Sequence, residues 1–346
     1  MGQMRLKIAT DIKPNNLIRA LYKTEMVCPV KLQEARGVIL VSVSGGSDSD
    51  IVVDLVERHK GDANVKYVWF NTGLEYEATK RHLIYLENRY GIQIERMNAV
   101  MPVPLACKKN GVPFLSKDAS QKIYRLQKHG FKWEDKPFDE LLKEYPNCKS
   151  ALKWWCGDRR KSVTNHAYLK EFMMKNPPDF LISDYCCTGA KKRTYKQAIK
   201  KYDAVLNITG MRQAEGGVRA TTIKSCFRPA TDERIAEYHP LFFFTDKDKQ
   251  EYEHKYNIRH SDCYTIYGFK RTGCAACPFG SGFEEELKII EMFEPKLFRA
   301  ANAIFGKSYE YTRKYREYKE RRKKEAREAK KQCKGQLSLT DWQANK

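Results

Sequence analysis

Apolar positions along the chain switch between two periods. GVILVSVS (37–44) is a β-branched run suited to a strand buried on both faces, and DSDIVVDLVERH (48–59) then places Ile51, Val52, Leu55 and Val56 at helical spacing. VKYVWF (65–70) reads as a second strand, EYEATKRHLIYLENRYG (75–91) as a helix ending at Gly91, and IQIERM (92–97) as a third strand. This alternation predicts an α/β fold, a doubly wound parallel sheet with right-handed crossovers. From Met101 prolines, glycines and short helical stretches break the rhythm, which predicts a helical insertion over 101–178. Sheet resumes in FLISD (180–184) and AVLNITG (204–210), and Thr245 opens a further helix as its N-cap. Residues 284–332 read as helical throughout, the second half polar on all faces, with pairs such as Glu317–Arg321 and Glu320–Lys324. The domain plan is an N-terminal segment (1–36), a main domain (37–282), a basic helical extension (283–332) and a flexible tail (333–346).

Charge adds a partner class. Lys and Arg number 64 against 43 Asp and Glu, a net +21 over 346 residues, which favours nucleotides, nucleic acid or another anionic partner. Between Arg313 and Lys334 there are 12 Lys or Arg against 4 Glu, so this helix is either a solvated face or a surface for nucleic acid. No apolar run reaches the roughly 20 residues of a membrane span, and MGQMRLKIATDIKP lacks a secretory core, so the expectation is a cytoplasmic protein without membrane partners. The eleven cysteines, odd in number and unevenly spaced, argue for metal ligation or thiol chemistry by a subset rather than a disulfide framework.

The turn between the first strand and helix carries the sharpest chemistry. Gly45 and Gly46 let main-chain amides turn inward at a helix N-terminus, where dipole and hydrogen bonds together stabilise an anion, and Ser44, Ser47 and Ser49 add hydroxyls. The loop holds no lysine and its spacing is not GxxxxGK[ST], which excludes a Walker A site. SGGSDS resembles the PP-loop (SGGxDS) of the adenine nucleotide α-hydrolase families. FNTGLEYEAT resembles the D-T-G-x-x-x-x-E-T segment of phosphoadenosine phosphosulfate (PAPS) reductases, with Asn71 for Asp and Ala78 for Glu, and would bring Asn71, Thr72 and Gly73 to the same crevice. NITGMRQAEGGVRA resembles G-x-R-x-x-[EQ]-S-x-x-R, placing Gly210, Arg212 and Arg219 after another strand, with Gly216 in the Ser position. YHPLFFFTDKDKQEY is similar to P-L-x-x-W-x-x-x-D-V-x-x-Y, with Phe244 as the aromatic.

Two cysteine pairs complete the pattern. Cys186–Cys187 and the C-x-x-C of Cys274 and Cys277 form a soft donor set for zinc or iron–sulfur. Their combination resembles the [4Fe-4S] pattern of adenosine phosphosulfate (APS) reductases, where basic residues such as Lys191 and Lys192 follow the first pair. Cys226 is an alternative ligand, a free thiol or a buried small hydrophobe; Cys156 has basic neighbours and stays unassigned. The chain is thus identified as a member of the PAPS reductase family, of the divergent branch that resembles phage-encoded members and the enzymes of DNA phosphorothioation. The resemblance implies a HUP-like, Rossmann-type fold, an adenine nucleotide (ATP or PAPS) with Mg2+, catalytic roles for Asp48 and Arg212, and a [4Fe-4S] cluster.

The chain lacks the E-C-G-L-H tail motif of assimilatory reductases; Cys333 in KKQCKGQ is a lone tail cysteine. An intact SGGxDS loop without that motif points to ATP and to sulfur transfer, with AMP and pyrophosphate released and nucleic acid as a candidate acceptor. The alternatives are a sulfonucleotide reductase releasing sulfite and a non-enzymatic nucleic-acid-binding protein on the same scaffold. QLSLTDW in the C-terminal tail weakly resembles a sliding-clamp docking peptide, with Thr340 where Phe is expected.

Overall fold

The computed structural model describes residues 19–157, 162–216, 221 and 223–344, with side chains described through residue 330. The chain folds into two compact units, the first running to Pro104 and including Cys187–Ala275 and Glu284–Ala300. The second comprises Leu105–Cys186, Ala276–Phe283 and the chain from Ala301 on.

The first unit is built on a six-stranded sheet: β1 (Val38–Val43), β2 (Val65–Asn71), β3 (Ile94–Asn98), β4 (Ala204–Ile208), β5 (Phe227–Arg228) and β6 (Ala236–Tyr238), in the order β3-β2-β1-β4-β6-β5. Every pairing is parallel except β5 with β6, so the sheet carries one antiparallel edge strand of two residues. Both faces of β1 are covered: Ile39, Val41 and Val43 enter one apolar cluster and Leu40 enters another with Val68 and Met97. That is why its sequence is apolar without alternation. From β1 the chain builds β2 and β3 on one side, then returns to lay β4 on the other side of β1. Strand order therefore reverses at β1, and in open α/β sheets ligands bind at the carboxyl ends of strands flanking such a switch point.

Helices α1 (Ala20–Glu34), α2 (Ser47–His59) and α3 (Glu77–Tyr90) belong to this unit. α2 buries Ile51, Val52, Val53, Leu55 and Val56 almost completely, and α3 stops at Gly91 with φ 63°, a left-handed C-cap. α1, with Pro29 inside it, is not foreshadowed by the sequence pattern, since its apolar face is irregular.

The second unit is helical: the end of α4 (Val103–Asn110), then α5 (Lys117–Lys128), α6 (Phe138–Glu144), α7 (Lys149–Trp155) and α8 (Leu169–Lys175). FLISD is not a strand. It contributes a single bridge, Ile182 with Val112, because Phe180 and Ile182 pack in this unit's own core rather than on the sheet, while Leu181 is exposed. A short turn α9 (Tyr185–Cys187), a π-helical turn (Thr188–Lys192) and α10 (Arg193–Tyr202) lead back to β4. Further on come α11 (Asp246–Lys255), α12 (Asp262–Thr265), α13 (Phe283–Phe293) and α14 (Pro295–Ala344). The helical stretch expected from residue 284 is broken between Phe293 and Pro295. Nor is α14 polar on every face: Tyr311, Tyr315 and Tyr318, spaced by four and three, are buried against Phe114 and Phe172. Their hydroxyls donate to Asn176 O (2.7 Å), Ala167 O (2.9 Å) and Glu171 (2.6 Å), so each ring is buried with its polar end satisfied. Its outer face is laced by the i,i+3 pairs Lys323–Glu320 and Arg322–Glu325 and the i,i+4 pair Arg321–Glu325. Among the described residues, no helix is long and apolar enough to cross a membrane.

Candidate nucleotide site

β1 ends at Val43, Gly45 turns the chain at φ 67°, and α2 begins at Ser47. Only glycine fits: a Cβ on Gly45 would stand 2.6 Å from Thr79 Cγ2, in addition to the strain of a positive φ. The turn is pinned from within. Ser44 N donates to Ser49 Oγ (3.0 Å), Gly46 N to Ser44 Oγ (3.3 Å), and Ser49 N to Gly46 O (2.8 Å). The first amides of α2, those of Ser47 and Asp48, have no intrahelical acceptor by construction and carry the positive end of the helix dipole.

Acidic residues in that first turn draw cations. Asp48 Oδ1 accepts from Arg212 Nε at 3.0 Å and is ion-paired with Lys249 Nζ at 2.9 Å, while Arg212 Nη1 also reaches Asp246 at 2.8 Å. Arg212 is 8% exposed, held there because Gly210 lies so close that a Cβ would stand 2.8 Å from Asp48 O. Two residues on, in the same first turn, Asp50 is fully buried, with His260 Nδ1 at 2.7 Å and His82 Nε2 at 3.0 Å, the latter at ion-pair distance without hydrogen-bond alignment. His260 Nε2 contacts Glu253 Oε1 at 2.8 Å. Burial alone would depress the imidazole pKa, but the hydrogen bonds to Asp50 and Glu253 outweigh it and push it up to about 9.

This shift has a measurable consequence. A pKa raised above the unfolded value of about 6.5 adds stability that is complete below pH 6.5 and lost as pH rises through about 9. Urea unfolding at pH 6, 7.5 and 9 is expected to show a loss of roughly 3 kcal/mol from this group, and His260→Gln to remove that part of the slope.

A cavity of about 460 Å3 opens beside the loop, at the carboxyl ends of β1, β2 and β4. Ser42, Ser44, Thr72, Glu75, Lys191 and Asn207 are among its lining residues. Asn71 and Gly73 do not line it: Asn71 donates to Asn98 (3.1 Å) and accepts from Gly73 N (3.0 Å), which makes it a turn former. Thr72 does line it, giving its hydroxyl to Glu75 (2.5 Å) and standing 3.5 Å from Cys274 Sγ. Burial raises the pKa of Glu75, opposed by Thr72 and Lys191, and burial likewise raises that of Cys274, opposed by Lys191. Tyr264 and Thr272 hydroxyls meet at 3.2 Å beside Gly46, so the segment leading to Cys274 rests on the glycine turn.

Cys187 and Cys274 share the first unit, near enough for their charges to interact, whereas Cys186 and Cys277 belong to the second. Among the described residues no group of three or more His, Cys, Asp or Glu is arranged to hold a metal ion. The thiol donors suit iron–sulfur chemically; a ready-made metal cage is not what the side chains form. Cys226 is 5% exposed within the main apolar cluster and Cys156 is half-buried. Arg219 and the side chain of Cys333 lie outside the described residues.

The model of the phosphoadenosine phosphosulfate reductase domain matches residues 38–177 and 165–279, most of the chain. The chain belongs to this family. Solved structures similar to the chain include PAPS reductase from Candida auris in a phosphate complex, at 11% identity, covering 76% of this chain and 97% of that one, TM-score 0.41. The NH3-dependent NAD synthetase of Campylobacter jejuni is 12% identical over 85% of this chain and 92% of its own, TM-score 0.36. The U34-tRNA thiolase of Methanococcus maripaludis with its [4Fe-4S] cluster is 12% identical over 86% and 80%, TM-score 0.33. No curated protein matches the chain. Members of the PAPS reductase domain family are nucleotide-dependent, sulfur-related enzymes.

Lys249, Glu75 and the pair His82 and His260 are not marked by the sequence pattern. Glu75 falls at an unspecified position of FNTGLEYEAT, Lys249 stands in YHPLFFFTDKDKQEY where the related pattern has valine, and no motif contains His82 or His260.

Proposed function

We propose that this PAPS reductase-family chain is a sulfur-transfer enzyme that cleaves ATP at the α-phosphate, releasing pyrophosphate and AMP. The observation that carries the reading is the turn at Gly45 and Gly46, set at the sheet's switch point, with Arg212 and Lys249 gathered on Asp48. In this reading the outer phosphates rest on the Ser47 and Asp48 amides, and the rest of the nucleotide occupies the cavity lined by Ser42, Thr72 and Asn207. An acceptor oxygen forms a bond to the α-phosphorus as the α–β bridging bond breaks. The charge that develops on departing pyrophosphate is stabilised by the loop amides and Arg212. A sulfur nucleophile then forms the C–S bond, and the C–O bond breaks with AMP as leaving group. Mg2+ enters with ATP as part of the substrate, and Asp48 is the carboxylate placed to meet it.

Cys187 and Cys274 are the thiols of the first unit that we assign to the [4Fe-4S] cluster implied by the sequence resemblance, whose chemistry when bound would be to hold or deliver sulfur. Lys191, beside Cys274 and on the cavity wall, offsets negative charge there. The basic face of α14 supports a nucleic acid as acceptor, since Lys and Arg supply sequence-independent phosphate affinity. The second reading, PAPS or APS reduction to sulfite, is favoured by the matching family model. Anaerobically purified protein incubated with ATP or PAPS separates them. Pyrophosphate and AMP from ATP support sulfur transfer; sulfite from PAPS with a thiol reductant supports the reductase.

A further inference from the structure

The SGGSDS turn carries no lysine of its own, yet a lysine sits in it. Lys249, on the first turns of α11, lays its ammonium 2.5 Å from Ser47 Oγ and 2.9 Å from Asp48 Oδ1, with Glu253 Oε1 at 3.8 Å. Its position is fixed by its neighbours on the helix. Asp248 is consumed by the capping box at Thr245, Tyr252 donates to buried Asp54 at 2.7 Å, and these two contacts turn position 249 toward the loop. The side chain is 16% exposed, so the four-carbon stem is packed while the ammonium stays at the loop. Asp48 consequently carries two cations for one negative charge. Arg212 has a second carboxylate in Asp246, whereas the second carboxylate of Lys249, Glu253, is at 3.8 Å and also holds His260. Lys249 is thus the cation less firmly committed to protein partners.

Resting on the nucleotide reading above, we propose that Lys249 is the loop's phosphate lysine, supplied from α11, and that it makes the site select a polyphosphate over a monophosphate. An ammonium is a point charge with three rotatable donors on a flexible stem, and it can pass from a carboxylate and a hydroxyl to phosphate oxygens a short distance away. Its contact with Ser47, whose amide is among the first of α2, places it over the part of the loop assigned to the outer phosphates. A nucleoside monophosphate has no group there and does not use it.

The test is equilibrium titration of the full chain, as wild type, Lys249→Met and Lys249→Arg, with ATP, pyrophosphate and AMP. Loss of one charge-assisted hydrogen bond should raise the Kd for ATP and pyrophosphate about 10- to 100-fold in Lys249→Met, with AMP changed less than about twofold. Lys249→Arg keeps the charge and should recover most of the affinity. Should the methionine variant not fold, Lys249→Gln carries the same comparison. Unchanged ATP affinity in the neutral variants, or an equal loss for all three ligands, overturns the role of Lys249 while leaving the loop reading intact. Wild-type protein that binds neither ATP nor pyrophosphate overturns both.

Discussion

Gly45→Ala is expected to weaken ATP binding by about 100-fold or more while the protein stays folded, as judged by circular dichroism and thermal melting. Two effects combine. A non-glycine residue at φ 67° costs about 1–2 kcal/mol, and the new Cβ would overlap Thr79 Cγ2 at 2.6 Å. The loop relieves that overlap by moving outward, which misdirects the amides of Ser47 and Asp48; losing two charge-assisted hydrogen bonds amounts to about 3–6 kcal/mol. Adding Thr79→Ser removes the colliding methyl and should return about tenfold of the loss, leaving the φ strain. A Gly45→Ala protein that binds ATP as the wild type does would show that the turn is not a phosphate site.

Cys274→Ser is expected to strip most of the iron and acid-labile sulfide from anaerobically purified protein, with loss of the brown colour. Cys274 is the critical thiol because it touches Thr72 on the cavity wall and shares its surroundings with Cys187 and Lys191. Cys226→Ser is the paired control. Cys226 is buried among apolar side chains, so its replacement should lower stability by about 1–3 kcal/mol through an ill-matched hydroxyl while iron content stays. Iron lost from Cys226→Ser and kept in Cys274→Ser would reverse the ligand assignment. A colourless zinc protein would remove iron–sulfur chemistry from the proposal.

How far the sequence can be read depends on whether the signal is local. β1, the glycine turn and α2 are legible because a two-sided buried strand, a positive-φ glycine and a helical apolar face each leave a mark within a few residues. Thr245 is legible for the same reason, its capping box being complete within four positions. FLISD misleads because a short apolar run looks alike in a strand and in a helical core, and here one bridge to Val112 is all it forms. The tyrosine stripe of α14 is hidden by the charges around it: Tyr311, Tyr315 and Tyr318 sit in a polar stretch, though each buries its ring and spends its hydroxyl on one acceptor. Within the site, Ser44 through Ser49 and Arg212 belong to motifs, whereas Lys249 reaches Asp48 across some 200 positions of sequence and Asp50 meets His260 across 210. Such partners are set by the reversal of strand order at β1 and by the docking of α11, which no window of sequence contains.

The central claim is that the main-chain amides of Ser47 and Asp48 hold a polyphosphate. Calorimetric titration of the full chain with pyrophosphate, repeated in the presence of saturating ATP, tests it most directly. Saturable pyrophosphate binding that ATP abolishes by competition is the expected result. Absence of pyrophosphate binding, or binding that persists unchanged beside ATP, would contradict it.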